Sequence, residues 1–504
     1  MPTAPLPEQP NLDQLRKQAR ELQRAVRRGE PRALALVAEH YSGDPTAETF
    51  PLQLAQIVVA RHYRFASWAA LCRHVEVISA RSWVLPPASE KQSVGARFLR
   101  LACLNFTEDE PARRVEAAAL LAANPELPKH DLAVAAVCAD VEAARRLLAV
   151  NPTAAQSRCG PYNWSPLMYL TYSRHDGWPE RQLEQARDET SVLATAALLI
   201  EAGADPNDGR FFLGLPTPFT ILTGVFGSAD AQRPAHQYEI PLARLLLEAG
   251  ADPNDGQALY NRMFNPNDDH LRLLFDFGLG RGQGGVWHRL LGDQLDAPAV
   301  MLNNLLHWAV THDQRERVVL LAEHGVDVNA VKEAPSWSRN TGAMAPIEAA
   351  LLSGNRAMAA LLRDLGADEP SLDAVAAFVA AAMAADTEAV HSTPESVIAL
   401  ARAARPGLVV WAASQGVAGA VELLVGVGFD VNAFGRGDTP IEQRWETALH
   451  VAAGDGDLEL VKSLLRLGAD VTLTDKRFDA TPLGWAEHFS QPEIAELLRT
   501  FSTG

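Results

Sequence analysis

The sequence predicts an all-α protein in which a solenoid of helix-turn-helix repeats follows a small helical N-terminal module. The first observation is the stretch 447–470, where Thr447 is a good helix N-cap, 454–456 forms a turn, and a second helix ends at Gly468. The second observation is that the opening of this stretch recurs one unit later, at 481–483. A recurring pair of short helices predicts a repeat array.

A Gly-x-Asp motif recurs along the chain at predicted helix ends. Glycine takes the left-handed conformation after a helix at little cost, so each copy predicts the end of the second helix of a repeat. The six copies begin at Gly203, Gly250, Gly325, Gly366, Gly428 and Gly468. Leucine-rich segments such as 197–202 and 245–249 precede them. The pattern predicts degenerate repeats back to residue 94.

The residues T-A-L-H-V-A at 447–452 resemble the T-P-L-H-x-A signature of the ankyrin repeat. This resemblance implies an ankyrin-repeat solenoid with β-hairpin-like fingers between the helix pairs, and a protein that binds other proteins. The segment 65–71 resembles the Phe-Ala-Ser-Trp-x-x-Leu part of a helical module that precedes the repeats in many bacterial ankyrin proteins. We therefore expect a bacterial ankyrin repeat-containing protein.

The domain organisation follows from the composition along the chain. The first residues are rich in proline, and a second stretch rich in proline and serine separates the first helices from the repeats. We expect a disordered N-terminus at 1–10, a helical module at 11–78, a linker at 79–93, and a repeat array at 94–504 that ends in a cap at 481–501.

Charge and composition limit the kinds of partner. The 504 residues carry a formal net charge of −17, with 47% hydrophobic and 21% charged residues, as in ordinary folded proteins. The negative charge lies in the predicted repeats, so we expect no nucleic-acid binding by the repeats and a protein partner with a basic or extended surface. Contact with nucleic acid or an acidic partner stays open for a basic N-terminal helix that carries Arg16, Lys17, Arg20, Arg24, Arg27 and Arg28.

The cysteines and the apolar segments predict neither a metal site nor a membrane protein. Cys72, Cys103, Cys138 and Cys159 lack the spacing of a zinc site, and we expect them to be buried in the core. The N-terminus lacks the pattern of a secretory leader, and no apolar run reaches the length of a membrane span. We expect a monomeric cytoplasmic protein without a metal or cofactor.

Large aromatic and arginine side chains in the predicted finger tips are the candidate partner-binding residues. Exposed Trp, Phe and Arg dominate the energetics of protein interfaces, whereas a tip that served only as a turn would be small and polar. The candidates are Trp337, Phe434, Arg436, Arg444, Trp445, Arg477 and Phe478. The alternative is that these rings pack onto their own loops.

The predicted function is a protein-protein interaction scaffold or regulatory binding protein that uses the concave face and the finger tips of the solenoid. The G-x-G-x-x-G match at 280–285 follows a predicted helix, whereas a dinucleotide site needs a preceding strand. We therefore expect no enzymatic activity. The alternative is an enzyme with a site in the divergent region 257–296, or under the insertions 173–190 and 226–238, which we expect to protrude as a flap.

Overall fold

The computed structural model consists mainly of short helices, which belong to two compact units, residues 1–301 and residues 302–504. The residues that the structure describes are 6–7, 10–41, 50–83, 92–174, 188–212, 215, 217–228, 230, 232–331, 344–437 and 443–502. The division of the chain into module, linker and array stays a prediction.

Within its described residues, the first unit contains helices α1 to α15, two short strands and three 3₁₀ turns. The helices are α1 (Leu12–Arg27), α2 (Pro31–His40), α3 (Leu52–His62), α4 (Trp68–Ala80), α5 (Val94–Ala102), α6 (Ala112–Ala123), α7 (Leu132–Cys138), α8 (Val141–Val150), α9 (Pro166–Tyr172), α10 (Glu189–Glu201), α11 (Ile221–Phe226), α12 (Glu239–Glu248), α13 (Gly256–Arg262), α14 (Asp269–Asp276) and α15 (Val286–Leu291). The 3₁₀ turns are Leu127–Lys129, Pro152–Gln156 and Gly292–Gln294. The strands β1 (Gly209–Arg210) and β2 (Phe219–Thr220) pair antiparallel.

The second unit also consists mainly of short helices. Helix α16 (Pro298–Thr311) spans the residues at which the two units divide. The helices that follow are α17 (Arg315–Glu323), α18 (Pro346–Leu352), α19 (Arg356–Asp364), α20 (Ala374–Met383), α21 (Thr387–His391), α22 (Glu395–Ala404), α23 (Leu408–Ser414), α24 (Ala418–Gly426), α25 (Ala448–Asp455), α26 (Leu458–Arg466), α27 (Pro482–His488) and α28 (Pro492–Ser502).

Helices pack in two parallel rows within each unit. In the first unit α7, α9, α11 and α13 each contact the next in one row, and α8, α10, α12 and α14 do so in the other. In the second unit the rows are α23, α25 and α27, and α24, α26 and α28. Each helix therefore buries its apolar stripe against its own pair and the neighbouring pairs, which is the packing of a repeat array.

The N-terminal helices form a core of their own because α1 is strongly amphipathic. Asn11 caps this helix, and its side chain accepts hydrogen bonds from the amides of Asp13 and Gln14 at 2.8 and 3.4 Å. The buried face of α1 consists of Leu15, Ala19, Leu22 and Val26. This face packs with apolar residues of α3 and α4 in one cluster.

Glycine, aspartate and asparagine define the junctions between repeats. The glycines of all six Gly-x-Asp motifs have φ between 81° and 96°, which confirms the predicted helix ends. The Asn432 amide spans two repeats: its nitrogen donates to the Gly468 carbonyl at 3.3 Å and its oxygen accepts from the Asp470 amide at 2.8 Å. Asn207 and Asn329 make the same pair of bonds to the next repeat. These asparagines fix the spacing of successive helix pairs.

Trp83, which lies in the predicted linker, packs into a cluster of buried aromatic rings within the first unit. The backbone amide of Trp83 donates to the Phe211 carbonyl at 2.7 Å, and its ring lies 4.6 Å from the Trp164 ring and 5.7 Å from the Tyr172 ring, between centroids. Trp83 and Trp164 are buried. Edge-to-face contacts of this kind add to the energy of apolar burial. Within 79–93, Trp83 is thus a core residue.

The described part of the 226–238 insertion packs onto the repeats, so the expectation of a protruding flap is wrong for it. The buried Arg174 side chain donates to the carbonyls of Pro234 and Gly224, each at 2.7 Å. Arg233 forms an ion pair with the buried Asp109 at 3.0 Å. Buried arginines can hold a loop because they satisfy several carbonyls at once. Residues 175–187 of the other insertion lie outside the described residues.

The divergent region 257–296 begins with the helix pair α13 and α14. Asp255 caps α13, and its carboxylate accepts from the amides of Gln257 and Ala258, both at 3.0 Å. Helix α14 precedes the glycine-rich segment 280–285, as expected. The divergence in sequence therefore leaves a repeat-like helix pair in place.

Candidate interaction surface at the finger tips

The first finger connects α24 to α25 and comprises residues 434–446, of which 438–442 lie outside the described residues. Gly435 and Glu446 exchange two backbone hydrogen bonds, with N–O distances of 2.8 and 3.2 Å. A Cβ at Gly435 would lie 2.7 Å from the Gly407 carbonyl oxygen, so only glycine fits there. The buried Glu446 carboxylate accepts from the Gly437 amide at 2.8 Å. The base of this finger is therefore rigidly held.

The second finger comprises residues 474–480 between α26 and α27, and the buried Asp475 organises it. One carboxylate oxygen accepts from the amides of Arg477 and Phe478 at 2.8 and 2.6 Å. The other accepts from the Ala480 amide at 3.1 Å and from the Trp485 indole at 2.9 Å. Burial raises the pKa of Asp475, but these hydrogen bonds outweigh burial and hold its pKa below the ordinary value.

The two fingers meet at Trp445. The Lys476 amide donates to the Trp445 carbonyl at 2.8 Å. Two guanidinium groups stack on the half-buried Trp445 ring, with central carbons 3.6 Å (Arg436) and 4.1 Å (Arg477) from its centroid. The same Arg477 carbon lies 5.1 Å from the centroid of the Phe478 ring. Cation–π contacts of this kind fix the arginines in place.

A residue that the sequence reasoning overlooked completes the surface. The Lys476 ammonium lies 4.7 Å from the centroid of the Phe434 ring, so it bridges the two fingers. The only sequence signal for Lys476 was its place beside Arg477 and Phe478. We use "finger surface" for Phe434, Arg436, Arg444, Trp445, Lys476, Arg477 and Phe478.

The predicted site residues that the structure describes differ in exposure and in their contacts. Phe434 and Arg436 are half-buried, and Arg436 also donates to the Gln443 side chain at 2.8 Å. Arg444 is exposed, and its side chain makes no hydrogen bond or ion pair with described residues. Phe478 is the most exposed ring of the surface, at 67%. Trp445 is half-buried, with Arg436 of its own finger over its ring, and Trp337 lies outside the described residues.

His450 ties the start of α25 to the second finger through its neutral ring. Nδ1 accepts from the Thr447 amide at 3.3 Å, so the proton sits on Nε2, which donates to the Ala480 carbonyl at 3.0 Å. His307 makes the corresponding bond to the Ala330 carbonyl at 3.1 Å. Both histidines therefore connect neighbouring parts of the repeats and have a structural role. Burial lowers the pKa of His450, and the bond to Ala480 only partly opposes it.

Acid is therefore expected to destabilise the fingers through His450. The unfolded chain takes up a proton near the ordinary pKa of 6.5, whereas the native ring resists protonation. The free energy of unfolding should fall as the pH drops through 6.5 toward the lower native pKa. We expect the stability advantage of the wild-type chain over His450→Gln, measured by urea unfolding, to shrink between about pH 7.5 and about pH 5. An advantage that stays constant with pH would contradict this assignment.

Among the described residues, no group of three His, Cys, Asp or Glu side chains is placed to hold a metal ion. In the same residues no single helix is long and apolar enough to cross a membrane; α22 and α23, which are bent by 79° to each other, reach that length and apolar composition only together. Their side chains Ile398, Ala401 and Leu408 belong to the buried core of the second unit.

Comparison with known proteins identifies the repeats around the finger surface. Residues 409–502 match the family model described as ankyrin repeats, in three copies. No curated protein matches the chain. The matched residues cover the helix pairs α23–α24, α25–α26 and α27–α28, so the two fingers lie between family repeats. The C-terminal region of this mainly helical protein therefore consists of ankyrin repeats.

Proposed function

We propose that this chain is a non-catalytic scaffold or regulatory binding protein that holds a partner protein on the finger surface and the adjoining concave face. Ankyrin repeats generally mediate protein-protein interaction. The observation that carries the proposal is the finger surface, where neighbouring repeats join their tips into one exposed aromatic and cationic patch. The degenerate helix pairs from residue 94 onward support an ankyrin solenoid over the whole array.

Phe478 is the best anchor for a partner. Its ring is 67% exposed on a loop that Asp475 already holds, so binding would bury apolar area at a small cost in chain entropy. Trp445 has a supporting role, because its ring is occupied by two arginines. Energetic hot spots are enriched in aromatic residues and arginine, and both kinds of side chain meet at this surface.

The proposed partner is extended, because the contacting side chains run from one finger to the next. The net charge of −17 favours a basic partner at long range, as the sequence predicted. The side chains at the finger surface are positive instead, and short-range contacts decide which segment docks there. The bacterial origin, the cytoplasmic location and the monomeric state stay predictions.

The alternative of an enzyme in the divergent region receives less support from the geometry. Burial raises the pKa of Asp255, which is a property shared by catalytic carboxylates. Both oxygens of this carboxylate are engaged, however, since one caps α13 and the other accepts from the hydroxyls of Thr220 and Thr223. Such bonds support a structural role. The packed 226–238 insertion likewise uses its polar groups to hold the fold.

A photo-crosslinking experiment tests the proposed site. Benzoyl-phenylalanine at position 478 of the full chain should crosslink a partner in native lysate, because this ring would contact it directly. The same group at Phe501, which is 52% exposed in α28, is the matched control. Phe478→Ala should weaken the purified complex by about 2 kcal/mol in calorimetry, and Phe501→Ala should not. Equal crosslinking at both positions, or unchanged affinity of Phe478→Ala, would disprove the site.

A further inference from the structure

Among the described residues of the second unit, six exposed or half-exposed cations pair with a carboxylate, whereas Arg444, Arg466, Lys476 and Arg477 do not. The pairing is expected in a chain with a net charge of −17, where acidic side chains are abundant. The ion pairs are Arg315–Asp313, Arg356–Asp386, Arg363–Glu369, Arg402–Glu395, Lys462–Glu459 and Arg499–Glu487. Three of these four unpaired cations, Arg444, Lys476 and Arg477, lie together on the two adjoining fingers, and the fourth, Arg466, lies in α26.

The finger surface holds this cluster of three cations. Within the described part of the second unit, the side chains of Arg444, Lys476 and Arg477 form no ion pair and no hydrogen bond, and all three are exposed. Asp475 and Glu446 are buried and their carboxylates accept from backbone amides. The positive charge of these three side chains is thus presented to solvent.

Because Arg477 packs over two rings, its guanidinium is already positioned to bind a carboxylate. Trp445 and Phe478 contact this group at 4.1 and 5.1 Å, so its position is restrained before any partner arrives. A guanidinium that lies on a ring still presents its N–H groups at its edge, where a carboxylate binds through two hydrogen bonds. Lys476 is restrained in a similar way by Phe434. Beside these cations, Phe478 offers apolar surface.

We propose that the finger surface binds an extended acidic segment of a partner protein, with carboxylates on Arg477 and Lys476 and an apolar or aromatic side chain on Phe478. This inference rests on the proposed function and adds the chemistry of the partner. A nucleic acid could also use cations and rings, but its dense phosphates would be repelled by the net charge of −17, whereas a short acidic segment carries few charges.

Charge-matched variants test the inference. The probe is a short fluorescein-labelled copolymer of glutamate and tyrosine that carries only a few carboxylates, titrated with the full chain and followed by fluorescence anisotropy. The finger variant Lys476→Gln/Arg477→Gln should bind the copolymer at least about tenfold more weakly than the wild-type chain, because two charge-assisted contacts are lost. The control Lys462→Gln/Arg466→Gln removes the same net charge from the exposed face of α26 and should bind as the wild-type chain does. Circular dichroism should show unchanged helix content in both variants.

The outcomes separate this inference from the proposed function. The proposal of an acidic segment would be overturned if the wild-type chain did not bind the copolymer. It would also be overturned if the finger variant and the control lost affinity for the copolymer equally. Preferential binding of polyuridylate that the finger variant loses would overturn it in favour of nucleic acid, and preferential binding of a lysine–tyrosine copolymer would overturn it as well. If a native partner still crosslinks at position 478 in any of these cases, the proposed function stands and only its partner chemistry fails.

Discussion

Replacing Arg174 with methionine is expected to lower the free energy of unfolding by about 3–5 kcal/mol, because several buried carbonyls lose a charged donor together. Arg174 is only 2% exposed. Its guanidinium donates to Pro234 and Gly224 at 2.7 Å, and to Thr171 and Ser173 at 3.1 and 2.9 Å. Methionine fills part of the space but satisfies none of these oxygens. Urea unfolding of the full chain measures the loss.

Arg145→Met is the matched control for this change. Arg145 lies in α8 of the same unit, where it forms an exposed ion pair with Glu142, and such pairs contribute about 1 kcal/mol or less. Hydrogen exchange gives a local readout, since the His236 amide donates to the Val225 carbonyl at 2.7 Å across the docked insertion. Faster exchange there in Arg174→Met would show that the insertion has loosened. A loss below about 1 kcal/mol would contradict the structural role of Arg174.

The helix pairs were predictable because their signals are local. Caps such as Thr447 and left-handed glycines such as Gly468 act within a few residues of the chain. The docking of the 226–238 insertion was not predictable, because Arg174 reaches carbonyls 50 and 60 positions away and Arg233 reaches Asp109 across 124 positions. In the sequence these arginines are indistinguishable from solvated ones.

The sequence identified large side chains of the two fingers as candidates, but it could not give the contacts among them. Phe434, Trp445 and Phe478 are too large and too apolar for simple turns, which is why the sequence identified them. The stacking on Trp445 depends on how two successive fingers align, and that alignment is set by the Lys476 amide and the Trp445 carbonyl. Lys476 was missed for the same reason, since its contact is with Phe434 in the other finger.

Leu464→Ala is expected to lower the free energy of unfolding by about 2–5 kcal/mol through the cavity that it leaves. Leu464 is fully buried in α26 and belongs to the core cluster that includes Leu424 of α24 and Leu498 of α28. Both neighbouring helices contact α26, so the missing methyl groups weaken three successive repeats. Leu400→Ala, at a position 61% exposed in α22, is the control and should change the stability by about 0.5 kcal/mol or less.

Hydrogen exchange on Leu464→Ala should show which repeats lose stability. In a repeat array each unit is stabilised by its neighbours, so protection should fall in α24 to α28 while the separate core of α1, α3 and α4 keeps its own. The fingers between these helices would open with them, and the Asp470 amide, held by Asn432, is a direct reporter. A uniform loss of protection along the whole chain would instead show a single cooperative domain, in which the finger surface could not move independently of the first unit.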